Sequence, residues 1–196
     1  MTPTKIKIII GSTRQGRFGD KPANWVFEAA KKIDGVETEL LDLRDYPMQF
    51  LSESALPSSL KGNYSDAVVQ KWAEKIKEAD AYIIVTPEYN HGYSPVLKNA
   101  MDHIYGEWNN KPVGFVSYGG VGGARSVEQL REVIIELQMA PIRNSINIPT
   151  PWMLVDEKGD LKPGALEPFN DARERFLTQL LWWTKALKSA REESGI

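Results

Sequence analysis

One unit recurs along this chain and limits what it can fold into. A short apolar run is followed by a loop rich in glycine, proline or serine, and then by a segment with helical spacing. Ile6-Lys7-Ile8-Ile9-Ile10 is largely β-branched and stops at Gly11, so it reads as a buried strand. Val36 to Leu43 alternates well enough for a second strand, and Ala81-Tyr82-Ile83-Ile84-Val85 gives a third. Val113-Gly114-Phe115-Val116-Ser117 is the fourth, and Ile142 to Ile148, ended by Pro149 and Pro151, is the fifth. The segments between them have helical periodicity. The first helix has Pro22 in its first turn and Trp25, Val26, Ala29, Ala30 and Ile33 on one face. The second is capped at Ser65-Asp66 and runs to Glu78, with Val68, Val69, Trp72, Ala73 and Ile76 inward. Pro95 to Ile104, Ser126 to Gln138 and about Pro168 to Lys188 supply the others. Arg44 to Tyr64, with prolines at 47 and 57, is a long connection of the kind that is functional or mobile.

Strands alternating with helices predict a parallel sheet covered on both faces, an α/β doubly wound architecture. Five strands fit the flavodoxin-like order 2-1-3-4-5 better than a six-stranded dinucleotide fold. A length of 196 residues favours one domain spanning 1–196. The chain has no cysteine, which excludes disulfides, thiolate catalysis and thiolate metal sites. A formal net charge of −2 argues against nucleic acid as a partner. No apolar run is long enough to span a bilayer, and Met1 to Lys7 lacks a signal-peptide pattern, so a cytoplasmic protein that does not enter the membrane is expected.

In open α/β sheets ligands bind beyond the carboxyl ends of the strands, so the strand-end loops hold the chemistry. Gly11-Ser12-Thr13-Arg14-Gln15-Gly16-Arg17-Phe18-Gly19-Asp20 joins the first strand to the first helix. Backbone N–H groups, the hydroxyls of Ser12 and Thr13, and the forked donors of Arg14 and Arg17 suit an anion there. The loop is neither a Walker A sequence nor GxGxxG, and a terminal phosphate fits it better than a pyrophosphate. An acidic Asp20 beside a phosphate requires its side chain to turn away and cap the first helix. Thr86-Pro87-Glu88-Tyr89-Asn90-His91-Gly92-Tyr93-Ser94-Pro95 follows the third strand and combines aromatic, amide and proline groups suited to a flat polar ring. His91 and His103 lie apart and do not have metal-ligand spacing. Tyr118-Gly119-Gly120-Val121-Gly122-Gly123 follows the fourth strand, and its glycines let backbone approach a ligand.

With these motifs in view, the chain resembles the NAD(P)H-dependent FMN reductases of the flavodoxin-like superfamily, a group that includes flavin, quinone, azo-dye and chromate reductases. The resemblance runs from Lys5 to about Ile148 and rests on three stretches. Gly11-Ser12-Thr13-Arg14…Gly16-Arg17 looks like the phosphate loop. Pro87-Glu88-Tyr89-Asn90…Gly92 looks like the isoalloxazine loop and is the most specific of the three. Ser117-Tyr118-Gly119-Gly120…Gly122-Gly123 is similar to the second flavin-edge loop.

The resemblance implies non-covalent FMN, with its phosphate at 12–20 through Ser12, Arg14, Arg17, Phe18, Gly19 and Asp20. The ring would lie between Pro87, Glu88, Tyr89 and Asn90 on one side and Ser117, Tyr118, Gly119 and Gly120 on the other. NADPH or NADH is the implied co-substrate and a small molecule the electron acceptor. No catalytic side chain and no metal is implied, because the flavin performs the redox step. Members are commonly homodimers or homotetramers. On that basis Trp108 and the 44–64 segment are expected to complete a pocket across a two-fold axis, and one of Trp182 and Trp183 to lie off the core face. Two other classes remain open: a flavodoxin-type electron carrier, and a cofactor-free phosphate-binding signalling module on the same fold.

Overall fold

A computed structural model describes residues 2–195. Five strands, β1 (Thr4–Ile10), β2 (Val36–Asp42), β3 (Ala81–Pro87), β4 (Pro112–Gly119) and β5 (Ala140–Pro149), form one sheet in the order β2-β1-β3-β4-β5. Every pairing is parallel. This is the flavodoxin-like, doubly wound arrangement expected from the strand count.

Strand periodicity divides the core in two. Successive side chains point to opposite faces, so Ile6, Ile8 and Ile10 of β1 join Ala81, Ile83 and Val85 of β3 on one side. There they meet α1 (Asp20–Ala30) and α6 (Asn170–Ser194) through Ala23, Val26, Phe176 and Leu180. Ile9, Tyr82, Ile84, Val113 and Phe115 face the other way, against α3 (Ala67–Lys77), α4 (Pro95–Asp102) and α5 (Ala124–Glu136). Lys7 shares that second face and is buried, but its ammonium reaches Glu39 and Glu78, so the charge is paired. At Gly114 an added Cβ would sit 2.4 Å from the Phe176 ring, so the missing side chain lets α6 pack onto β4.

Boundaries differ from the sequence reading for local reasons. Asp42 accepts a hydrogen bond from the Arg44 N–H at 2.9 Å and starts a 3-10 turn, Leu43–Asp45, which takes Leu43 out of β2. The 44–64 connection contains a short helix, α2 (Pro57–Leu60), with Pro57 at its first position. The connection docks on α4, where Asn99 and the His103 ring bond backbone groups of Gln49 and Leu51. Asp66 caps α3 as expected, accepting from the N–H groups of Val68 and Val69. The expectation for Trp108 fails. It is fully buried in an aromatic chain with Trp72 and Tyr82, at centroid distances of 6.0 and 5.0 Å, and cannot line a pocket shared with another copy. Trp182 is exposed and Trp183 packs against the first core, as the adjacent positions required.

Candidate functional site

The loop after β1 is built by its two buried polar residues. Ser12 is buried and its hydroxyl lies 2.8 Å from the Tyr89 hydroxyl, tying the first loop to the second. Ser94, the cap of α4, donates its hydroxyl to the Gly11 carbonyl and makes a second tie. The Arg17 side chain is 2% exposed. Its guanidinium bonds Asp20 Oδ1 at 2.7 Å through Nε, grips both oxygens of Asp42 and donates to the Ser12 carbonyl. Burial pulls the Arg17 pKa down, but the hydrogen bonds from Asp42 and Asp20 outweigh it and hold the pKa above its ordinary value. Asp42 is the mirror case: burial would raise its carboxyl, and the Arg17 and Arg44 hydrogen bonds hold it below the usual range. Arg17 is therefore the internal strut of the loop.

Asp20 corrects the capping expectation. Gly19 is the N-cap of α1 and no side chain caps it; the Asp20 charge is neutralised by Arg17. Arg44 braces the loop from outside by donating to the carbonyls of Thr13 and Arg14. The Arg14 side chain is exposed and, like Lys21, makes no hydrogen bond or ion pair among the described residues. Both line a cavity of about 350 Å³.

After β3, the N–H and C=O of Tyr89 pair with those of Gly92 at 2.8 and 3.0 Å around a two-residue turn. Asn90 and His91 sit at its tip with φ of 49° and 72°. Asparagine tolerates that region, so Asn90 is the residue this hairpin turn needs. It is exposed and is not among the cavity's walls. Glu88 turns inward; its carboxylate takes the Arg125 guanidinium at 2.6 Å and the Arg125 N–H, in the first turn of α5, at 3.2 Å. That pair locks the second loop to the third.

After β4, the Ser117 hydroxyl donates to the Gly122 carbonyl and accepts from Asn147, so it braces the third loop and does not reach the cavity. Gly123 has φ of 76°, and an added Cβ would meet the Tyr118 backbone N at 2.8 Å. Tyr118 packs on Phe18, rings 5.3 Å apart, and its hydroxyl is buried against Gly19 without a hydrogen-bond partner among the described residues. Burial, and then the neighbouring Tyr89, keep that phenol protonated well above its ordinary range.

The cavity thus gathers Arg14, Arg17, Phe18, Pro87, Glu88, Tyr89, Tyr118, Gly119 and Gly120. Ser12, Gly19, Asp20 and Ser117 stand behind its walls, and Asn90 lies outside. Gly16, part of the phosphate-type loop, also lines it; Lys21 and a wall from beyond β5, Pro151, Trp152, Val155 and Gly159, complete it and were missed by the sequence reading. Nothing in the local sequence marked 151–159 as part of a site; Lys21, next to Asp20, could have been found as a further cation after the phosphate-type loop.

These residues fit FMN. Two cations that are unpaired among the described residues, Arg14 and Lys21, line the cavity, and buried Pro87 and the Phe18–Tyr118 ring pair supply apolar walls. The Gly119–Gly120 edge is bare backbone, the Tyr118 hydroxyl is a buried group lacking a partner, and an added Cβ on Gly120 would meet only Trp152, at 3.9 Å.

A doubly wound sheet with its cavity beyond the carboxyl ends of β1, β3 and β4 defines a flavodoxin-like ligand-binding protein. The solved structure of FerB, a flavoenzyme NAD(P)H:(acceptor) oxidoreductase from Paracoccus denitrificans, has this fold. It aligns with a TM-score of 0.72 over 93% of this chain and 98% of its own, at 19% identity. The family is shown by sequence. The model of the NADPH-dependent FMN reductase family matches residues 4–152. An NAD(P)H-dependent FMN reductase of Schizosaccharomyces pombe is 40% identical over 151 residues, 76% of this chain and 75% of that protein. An NAD(P)H:quinone oxidoreductase of Solanum tuberosum is 34% identical over 140 residues, 69% of each. The chain belongs to the NADPH-dependent FMN reductase family.

Proposed function

We propose that this protein is an FMN-dependent oxidoreductase that takes a hydride from NADPH or NADH and passes the electrons to a small acceptor, with quinones, free flavins and azo dyes as candidates. The observation that carries this reading is the convergence of three strand-end loops on one cavity, with unpaired cations and an apolar, glycine-edged wall. Similarity to relatives named for FMN and quinone reduction supports it.

When bound, FMN supplies the hydride acceptance and electron delivery. The side chains of this chain bind and orient. Arg14 and Lys21 are the donors for the FMN phosphate, while Arg17 shapes the loop that presents them. The backbone at Gly119 and Gly120 allows close approach to the ring edge, and Pro87, Phe18 and Tyr118 exclude water from it. The Glu88–Arg125 pair holds the second and third loops at a fixed separation. No side chain acts as acid, base or nucleophile in this reading.

The whole chain acts as one flavodoxin-like domain. Among the described residues no helix is long and apolar enough to cross a membrane, in keeping with a cytoplasmic enzyme. It works as a homodimer or homotetramer, with exposed Phe50, Leu56 and Trp182 as apolar surface for a second copy.

The visible spectrum of the purified protein tests the function. It should show bound oxidised flavin that bleaches when NADPH or NADH is added without oxygen and returns on addition of a quinone. A protein that takes up no FMN would sink the reading, and one that holds FMN but needs a partner protein to be reduced would be an electron carrier.

A further inference from the structure

Trp152 does not pack in either core. The residue is 60% exposed, whereas Trp72 and Trp108 are fully buried, and its indole N–H has no partner among the described residues. With that exposure it forms the mouth of the cavity, beside the bare edge at Gly120.

The backbone that carries it is fixed. Thr150 has φ of 44° and ψ of 55°, a region that a β-branched residue adopts only when its surroundings force it. The Thr150 N–H bonds the Gly119 carbonyl at 2.9 Å, and the Met153 N–H returns to the Thr150 carbonyl at 2.9 Å. Pro151 is buried and opens a 3-10 turn, Pro151–Met153. Thus the third loop itself orients the indole.

The wall continues through Val155 and Gly159, and it is also self-supporting. Val155 bridges Leu161, and the Asp156 carboxylate accepts from the N–H groups of Lys158 and Asp160, both at 2.9 Å. Lys162 closes the segment onto the Leu154 carbonyl at 3.0 Å. Beyond Trp152 this wall lies outside the residues that match the family model, although it bounds the same cavity. The floor, Pro87 and Tyr118, is buried, so a resident group belongs there; an exposed indole at the mouth meets what comes and goes.

We propose that Trp152 is a specificity-determining residue for the electron acceptor: an aromatic platform that favours flat, uncharged aromatic acceptors such as bicyclic quinones over acceptors that cannot stack. The assignment rests on the FMN reductase reading above. An indole face gains dispersion and quadrupole contact from a flat ring, and a compact octahedral anion gains neither.

Trp152→Ala and Trp152→Phe test it in the FMN-loaded protein, with menadione and ferricyanide as alternative acceptors. The ratio of kcat/KM for menadione to that for ferricyanide should fall about tenfold in Trp152→Ala and recover in Trp152→Phe. The KM for NADPH should rise by clearly less than the Kd for menadione. A calorimetric titration of the oxidised holoprotein with menadione, in the absence of NADPH, should show the Kd rise by about the same factor. Unchanged menadione Kd and unchanged ratio in Trp152→Ala would overturn the assignment while leaving the reductase reading intact. So would an equal rise in KM for NADPH, which would make the indole a nicotinamide seat, or loss of FMN, which would put it against the cofactor. A wild-type protein that holds no FMN would overturn both.

Discussion

Two arginines stand three positions apart in the first loop, and the structure gives them opposite consequences. The Arg14 side chain is exposed at the cavity and meets no partner among the described residues, so Arg14→Ala removes nothing that holds the fold. A hydrogen bond to a charged group contributes roughly 1.5–3 kcal/mol, and exposure puts Arg14 near the lower figure. FMN should therefore bind about tenfold more weakly, with the thermal melt of the FMN-free protein unchanged. Arg17→Ala is different. It removes the guanidinium from Asp42, which keeps only the Arg44 N–H, and from Asp20, and takes away the Arg17 donor to the Ser12 carbonyl. Breaking a buried pair costs about 3–5 kcal/mol, and the carboxylates' partial exposure, 25% and 40%, favours the lower end. For a chain of this size, about 3 kcal/mol lowers Tm by roughly 6–12 °C. The assay is a melting curve of the FMN-free protein beside a flavin-fluorescence titration, for both variants. Unchanged FMN affinity in Arg14→Ala, together with an unchanged melt in Arg17→Ala, would refute the division of labour.

Three further outcomes follow from the same geometry. Gly120→Leu should lose bound flavin or turnover while remaining folded, since the added side chain enters open cavity space beside Trp152 and not a packed core; normal flavin content and normal rate would remove the third loop from the site. Asp42 and Glu39 have folded pKa values below their ordinary 3.8 and 4.5, because hydrogen bonds from Arg17 and from Lys7 and Lys75 overcome the effect of burial. Each contributes stability that is complete above the ordinary value and is lost as pH falls through the lower folded one. Asp42→Asn should therefore be less stable than wild type at pH 6, with the gap narrowing below pH 4; a constant gap by acid titration would contradict it. Finally, FMN bound in this cavity would leave one open face, which nicotinamide and acceptor must use in turn. Double-reciprocal plots with NADPH and a small quinone should then be parallel, and intersecting lines with a trapped ternary complex would rule this out.

The sheet was legible because its physics is local. β-branched runs that stop at glycine or proline, alternating with amphipathic segments, leave few topologies open, and the order β2-β1-β3-β4-β5 follows. The cavity's floor was legible for a related reason: strand-end loops must gather at one edge of a parallel sheet. Residue type alone does not show how each side chain inside those loops is held. Arg17 has the residue type of a phosphate ligand, but parallel register sets Ile10 of β1 beside Asp42 of β2, and a carboxylate at that strand end captures the guanidinium. An acidic residue closing β2 was visible; that it would pair with Arg17 required the register. Asn90 carried a plain turn signal, a residue tolerant of positive φ two places before a glycine, which the ligand reading overrode.

The wall at 151–159 was illegible for a deeper reason. Pro149 and Pro151 look like punctuation that ends β5, and they do end it. But the chain does not leave the site there. Thr150 is held in a left-handed conformation by a hydrogen bond to Gly119, and this turns the following residues back over the carboxyl edge of the sheet. Neither partner announces the bond in sequence, since it joins two backbone groups. The floor is set by strand termini, which any chain of this fold must bring together. The mouth is set by the turn at Thr150 and the side chains that follow it, none of which packs between the strands of the sheet. Acceptor choice in this protein should therefore vary with residues 151–159 while FMN binding follows the three strand-end loops.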